Sequence, residues 1–124
     1  MKSYNIYKMN GRVLVTVQDD KWTYQITPEQ SQEITNHSPT GFEFGYGGSG
    51  PAQLALAILM DFTGRVPHPS FYHAFKWQFI APMDAAGGTI SGDAIREFME
   101  RFEEVDPYVK KFVTQWTASE IEPQ

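Results

Sequence analysis

The chain has 124 residues, a net charge of −5, 41% hydrophobic residues and no cysteine. A chain of this length forms one domain that buries its own core, and the lack of cysteine excludes disulfides and thiolate chemistry. The acidic balance argues against direct nucleic-acid binding, which depends on clustered lysines and arginines. The N-terminus lacks the apolar region of a secretory signal, and no apolar run is long enough to cross a membrane, so we expect a cytoplasmic protein.

Alternating apolar residues predict β-structure in the first part of the chain. Three segments alternate, namely residues 4–7, 13–17 and 22–26. Asn10 and Gly11 form a strong hairpin signal between the first two, because both residues tolerate positive φ. We therefore expect an antiparallel three-stranded meander, followed at 27–40 by an irregular connection or one short helix.

A glycine-rich loop at residues 45–50 precedes the most apolar part of the chain. Pro51 suits the first position of a helix, and from 52 to 62 only Gln53 and Asp61 are polar. Because a helix that is apolar on all sides is typical of a buried helix, we expect the central helix here. Asp61 is expected at its exposed end.

Further helices are predicted in the second half of the chain. Phenylalanines recur every four residues over 71–79, which favours a helix, although the aromatic content also suits a strand. Ser91 is a good N-cap for a second helix, and a third is expected at 107–117. The sequence thus predicts an α+β fold over residues 1–118, an N-terminal antiparallel three-stranded meander packed on a buried central helix with two or three further helices. Residues 119–124 are expected to be a frayed tail.

The loop itself has two interpretations. Residues 45–50 match G-x-G-x-x-G, but no parallel strand or ribose-binding acid follows, and the chain is too short for a doubly wound sheet. In the structural interpretation, Gly47, Gly48 and Gly50 supply a turn with positive φ that leads the helix into the core. In the functional interpretation, the loop and the helix N-terminus hold an anion.

The functional interpretation predicts a non-catalytic protein that binds a small anionic ligand or nucleotide signal. Ser49 and backbone N–H groups contact the ligand, and Tyr46 serves as a lid or stacking surface. The candidate ligand-binding residues are Glu43, Gly45, Tyr46, Gly47, Gly48, Ser49, Gly50, Ala52 and Gln53. No lysine or arginine lies between Lys21 and Arg65, so the positive charge must come from elsewhere. The candidates are Arg12, Arg65 and Lys76.

Two alternatives remain open. The first is a protein–protein inhibitor that acts through acidic residues of the last helices, with a purely structural loop. Its candidate residues are Glu97, Glu100, Glu103, Glu104 and Asp106. The second is a small enzyme that acts on a nucleotide, with Glu43, Asp61 or His73 as acid or base. No nucleophile–base spacing supports the enzyme, so we expect no catalytic residues and no cofactor. His68 and His73 are five residues apart, which does not favour a metal site.

The stretch GFEFGYGGSGPAQLALAIL at 41–59 resembles the hallmark G-F-E-W-G-Y-G-G-S-G-P-A-Q-L-A-L-A-I-L of a small domain family of bacteria, archaea, plasmids and phages, with Phe44 in place of tryptophan. The similarity continues through "FYHAFKWQFIAPM" to "ISGDAIREFMERF" and covers residues 4–102. The helix at 107–117 is an addition that could serve a homo-oligomer. The family is a domain of unknown function. The resemblance implies a mobile-element protein in the host cytosol that interferes with host defence, by binding a defence protein or sequestering a nucleotide signal.

Overall fold

The computed structural model describes the backbone of residues 1–105 and the side chains of residues 1–102. The elements, in chain order, are β1 (Lys2–Met9), β2 (Arg12–Asp19), β3 (Trp22–Ile26), α1 (Glu29–Ile34), α2 (Ser49–Thr63), α3 (Pro69–Phe75), a π-helical segment (Lys76–Ile80), β4 (Gly88–Ser91) and α4 (Gly92–Val105). The α+β class is confirmed. The helix predicted at 107–117 and the tail at 119–124 lie outside the described residues.

The sheet is antiparallel and has four strands in the order β3-β2-β1-β4. The predicted β1-β2-β3 meander is present, and its first turn has φ of 53° at Asn10 and 78° at Gly11. The prediction of three strands is wrong, because β4 pairs with the free edge of β1 and sets Ile90 opposite Tyr4. This strand has four residues, of which only Ile90 is buried, so it lacks the alternation that reveals a strand in sequence.

The central helix is α2, and its burial confirms the prediction from its apolar sequence. Its residues from Gly50 to Leu59 are all buried. The inner face of the sheet shares one hydrophobic cluster with α2, α3 and α4, with the strands contributing Tyr4, Ile6, Val15 and Val17. The central helix α2 contacts α1, α3, the π-helical segment and β3, whereas α4 packs against β1 and β4.

The structure confirms the helix, rather than the strand, over residues 71–79, but this helix ends in an unusual way. After α3, the N–H of Ala81 donates to the C=O of Lys76 at 2.8 Å, an i to i+5 bond typical of a π-helix. The predicted cap of α4 is also present, since Ser91 Oγ accepts from the N–H of Ala94 at 3.0 Å. No helix within residues 1–105 is long and apolar enough to span a membrane.

Candidate functional site

Two aromatic rings lie on the glycine-rich loop at the start of α2. A side chain at Gly47 would overlap the ring of Trp77, and one at Gly48 would overlap the ring of Tyr46. Trp77 is 60% exposed and Tyr46 is 51% exposed. These two glycines therefore leave room for two rings that face solvent, so the loop carries an open aromatic surface.

The backbone of the loop does not behave as the structural interpretation predicted. Positive φ occurs at Gly45, where it is 89°, and not at Gly47, Gly48 or Gly50. The N–H of Gly45 donates to the C=O of Ile80 at 3.0 Å, which joins the loop to the end of the π-helical segment. The residue with positive φ thus lies two residues before Gly47, the first position at which it was expected, and the later glycines serve close packing instead.

Glu43 and Lys8 lie beside the loop. A side chain at Gly50 would come within 2.6 Å of Cβ of Glu43, so Gly50 is small because Glu43 packs against it. The Glu43 carboxylate is 3.8 Å from Nζ of Lys8, and this Nζ is 5.3 Å from the centre of the Phe44 ring. Lys8 was missed in sequence because it reaches the loop from β1, about thirty-five residues away in the chain.

Lys76 is the predicted charge partner that the fold brings to the aromatic surface. Its side chain is only 7% exposed, and its Nζ lies 4.5 Å from the centre of the Trp77 ring, which is the geometry of a cation–π contact. Arg65 follows the C-terminal end of α2, roughly 22 Å from the loop for a helix of 15 residues. Arg12 is exposed at the first residue of β2.

Two imidazoles, those of His37 and His73, lie within the electrostatic influence of Lys76. The ring centres of His37 and His73 are 5.5 Å apart, and His37 Nε2 is 2.6 Å from the hydroxyl of Tyr72. Burial lowers the pKa of both histidines, and the charge of Lys76 lowers both values further. Both imidazoles are therefore neutral at pH 7, and sequence reasoning placed neither of them at the loop.

Gln53, which the sequence suggested as a ligand contact, is fully buried with 0% exposure. Its side-chain oxygen accepts from the N–H groups of His37 at 2.8 Å and Ser38 at 3.1 Å. Its amide donates to Ser31 Oγ at 2.8 Å and to the C=O of Thr35 at 3.1 Å. All of these bonds fix the segment before the loop. The structure therefore gives Gln53 a structural role, which includes holding the backbone of His37 in place.

The predicted ligand-binding residues differ in burial. Gly50 and Ala52 are buried, whereas Gly45, Tyr46, Gly47 and Ser49 are exposed. A ligand at this end of α2 therefore meets the exposed residues of the loop and the aromatic rings above it.

Asp61 does not lie at an exposed helix end, and that prediction is wrong. The side chain is 16% exposed and accepts hydrogen bonds from the hydroxyls of Tyr4 at 2.6 Å and Tyr24 at 2.9 Å. Lys2 Nζ adds an ion pair at 3.3 Å. Asp61 thus ties the C-terminal half of α2 to β1 and β3, beside a cleft of about 490 Å³. It lies eleven residues after Gly50, about 16 Å along the helix, so the fold does not bring it to the glycine-rich loop.

We expect the Asp61 cluster to make the protein less stable at alkaline pH. Burial and then the Asp61 charge raise the pKa of Tyr4, and burial raises that of Tyr24. Burial acts to lower the pKa of Lys2, but its bonds with Tyr24 and Asp61 outweigh burial and raise it. The folded protein therefore holds these protons more tightly than the unfolded chain. We therefore expect the stabilisation from this cluster to be fully present below about pH 10 and to be lost as the pH rises above it, with a slope of up to about 1.4 kcal/mol per pH unit from Tyr4 alone.

Urea unfolding between pH 8 and pH 11.5 measures this slope. We expect Tyr4→Phe to reduce the slope, because the variant has no hydroxyl to titrate at the most buried position. An unchanged slope in Tyr4→Phe would mean that other groups cause the alkaline loss of stability.

The acidic residues of α4 present a solvated face. Glu97 pairs with Arg101, and both side chains are more than 60% exposed; Glu100 is also exposed. The side chains of Glu103 and Glu104, and all of Asp106, lie outside the described part of the chain. Within that part, no group of three or more potential ligands is arranged to hold a metal ion.

Comparison with known proteins places these features in a family. A family of unknown function, DUF6166, has a sequence profile that matches residues 4–101. The match includes most of β1, the glycine-rich loop and α2, together with His37, His73 and Lys76. Neither the curated proteins nor the solved structures gave a match. Since the profile covers most of the 124 residues, the chain belongs to the DUF6166 family of unknown function.

Proposed function

We propose that this protein binds a small anionic ligand of the nucleotide class on the surface formed by Tyr46, Gly47, Gly48, Lys76 and Trp77, here called the aromatic surface. The observation that supports this proposal most is that the exposed rings of Trp77 and Tyr46 pack against Gly47 and Gly48. A large, exposed aromatic pair is an available platform for a flat ring, and stacking of one base on an aromatic side chain contributes about 1–3 kcal/mol.

The charges around the aromatic surface favour an anionic ligand. Lys76 lies against Trp77, and the ion pairs that the structure shows within residues 1–102 do not include it. The exposed Ser49 begins α2, where the N–H groups of the first turn and the helix dipole favour negative charge. A base on the rings and a phosphate near Lys76 would satisfy both parts of the surface.

The proposed activity is capture without a chemical step. A protein of this kind acts by lowering the free concentration of its ligand, so it needs affinity and abundance rather than an acid, a base or a nucleophile. Sequestration of a nucleotide signal in host defence is the role that we propose, in line with the mobile-element character that the resemblance implies.

Trp77→Ala is expected to weaken nucleotide binding about tenfold or more, because the variant loses one stacking ring. Gly47→Ala should have a similar effect, since the new methyl group displaces the Trp77 ring while the ring itself remains in the protein. Calorimetric titration with adenine and guanine mono- and diphosphates and with cyclic dinucleotides measures both effects. Trp22→Ala is the matched control, because Trp22 is 76% exposed on β3.

Native mass spectrometry of protein purified from its own host identifies the ligand directly. An added mass of a few hundred daltons that is lost in Trp77→Ala would support the proposal. Equal binding in Trp77→Ala, Gly47→Ala and the control would contradict it. The alternative is a protein–protein inhibitor that acts through the acidic face of α4. Loss of inhibition on charge reversal at Glu97 and Glu100, with nucleotide binding absent, would support that alternative.

A further inference from the structure

Lys76 is a buried cation without a carboxylate partner among residues 1–102. A charge removed from water costs several kcal/mol unless an opposite charge or strong hydrogen bonds offset the cost, and the cation–π contact with Trp77 offsets only part of it. Every fully buried polar side-chain atom in the described residues has a hydrogen-bond partner. Since Lys76 Nζ shows no hydrogen bond there, this atom must retain some contact with solvent.

His37 and His73, together with Lys76, form a group of nitrogen-bearing side chains, here called the histidine–lysine cluster. His73 precedes Lys76 by three residues and Trp77 by four, so the three side chains share one face of the helix. His37 comes from the segment before the loop, where Gln53 holds its backbone. Its ring lies edge-on to that of His73, at 78°. Three nitrogen-bearing side chains from two separate segments therefore converge beside the aromatic surface.

We propose that His37, His73 and Lys76 together bind a dianionic oxyanion, namely the terminal phosphate group of the ligand. This inference rests on the proposed function and deepens it, because it assigns the charged end of the ligand to the histidine–lysine cluster and the base to Trp77 and Tyr46. An oxyanion with four oxygens can accept from a lysine ammonium and from two imidazole N–H groups at once, which matches the donors that the cluster offers.

Binding of a dianion at this cluster changes the protonation of the imidazoles. The groups that act on them are Lys76, the Tyr72 hydroxyl and the two rings themselves, and no carboxylate of residues 1–102 contributes to either pKa. In the free protein both pKa values lie below the ordinary 6.5, so both rings are neutral at pH 7. A bound dianion favours the charged imidazoles and raises these values. Protons are therefore taken up on binding, and affinity rises as the pH falls.

Inorganic sulfate is the probe that isolates this site, because it has two charges, no base, and no proton to exchange between pH 6 and pH 8. We expect sulfate to bind at least tenfold more tightly at pH 6 than at pH 8, at an ionic strength held constant with sodium chloride; one proton taken up corresponds to about tenfold per pH unit at most. Titration of the histidine ring signals by NMR gives the affinity and identifies the rings that change. Wild-type sulfate binding that does not depend on pH would overturn the inference without any variant.

Three substitutions test the assignment to residues. Lys76→Met is expected to weaken sulfate binding more than tenfold, and His73→Asn is expected to reduce its pH dependence. The matched control is His68→Asn: His68 Nδ1 accepts from the N–H of Ser70 at the start of α3, and asparagine can take over that cap. Equal losses in His68→Asn and His73→Asn would overturn the assignment, since they would reflect a general effect on α3.

Three further ligands separate this inference from the proposed function. Adenosine has the base without the charge, and its binding should depend on Trp77 and not on Lys76. Adenosine binding with no pH-dependent sulfate binding would overturn the phosphate site and leave the nucleotide function standing. Sulfate binding with no nucleotide binding would support the oxyanion site and overturn the nucleotide class. If the ligand is a nucleotide, adenosine monophosphate should bind more tightly than inorganic phosphate; equal affinities would indicate free phosphate as the ligand.

Discussion

Replacing Gln53 with leucine is expected to lower the free energy of unfolding by about 3 kcal/mol. Leucine has a similar size and fits an apolar helix, but it cannot accept from the N–H groups of His37 and Ser38. Each buried donor left without a partner costs about 1–3 kcal/mol, and Ser38 is buried. The amide donors to Ser31 and Thr35 are lost as well. Chemical denaturation of the variant and the wild type measures the difference.

Gln30→Leu is the matched control for this prediction. Gln30 is exposed on α1, and an exposed substitution of this kind changes stability by about 0.5 kcal/mol or less. Because Gln53 holds the backbone of His37, Gln53→Leu should also weaken sulfate binding, while Gln30→Leu should not. Equal stability of the two variants would show that the segment from 31 to 38 finds other partners, and that Gln53 does not fix it.

Replacing Asp61 with alanine is expected to lower the free energy of unfolding by about 3 kcal/mol as well, for a different reason. Alanine removes the acceptor of three donors, and the Tyr4 hydroxyl is then left in a residue with no solvent exposure. Hydrogen bonds to a charged group contribute about 1.5–3 kcal/mol each before other groups adjust. Asp61→Asn keeps one acceptor oxygen but loses the charge, so we expect it to lower the free energy of unfolding by about 2 kcal/mol.

Asp20→Asn provides the matched control for Asp61→Asn. Asp20 also has an ion pair, with the N-terminus at 3.3 Å, but its side chain is 79% exposed. Such pairs contribute about 0–1 kcal/mol, and asparagine tolerates the positive φ of 52° at this position. Thermal and urea unfolding of the two variants compare the same chemical change in two environments. A loss at Asp61 as small as that at Asp20 would mean that the tyrosines rebond to water and that the cluster does not stabilise the sheet.

Gln53 and Asp61, which interrupt the apolar part of α2, show what the sequence could not predict. The position of Gln53 just after the loop predicts a ligand contact, and the position of Asp61 near the end of the helix predicts an exposed side chain. Both turn out to be partnered by groups from other segments, the first by the segment before the loop and the second by two strands. A polar residue in an apolar helix indicates that a partner exists, but its sequence neighbours do not say which one.

The sequence by itself determined the elements whose signals are local. The alternation of the first strands, the Asn10-Gly11 turn, the apolar length of α2 and the Ser91 cap each depend on residues a few positions apart, and each was found. The short β4 was missed, because a four-residue strand at the edge of a sheet is recognisable only through its pairing with β1.

Only the tertiary structure decided the composition of the candidate site. Trp77 lies over Gly47 from thirty residues away, and His37 reaches His73 across thirty-six. Neither pair has a sequence pattern, because which faces meet depends on how α2 packs between the sheet and the helix that bears Lys76. Local periodicity determines which face of a segment is buried. The packing of those faces against one another determines which side chains meet at the surface.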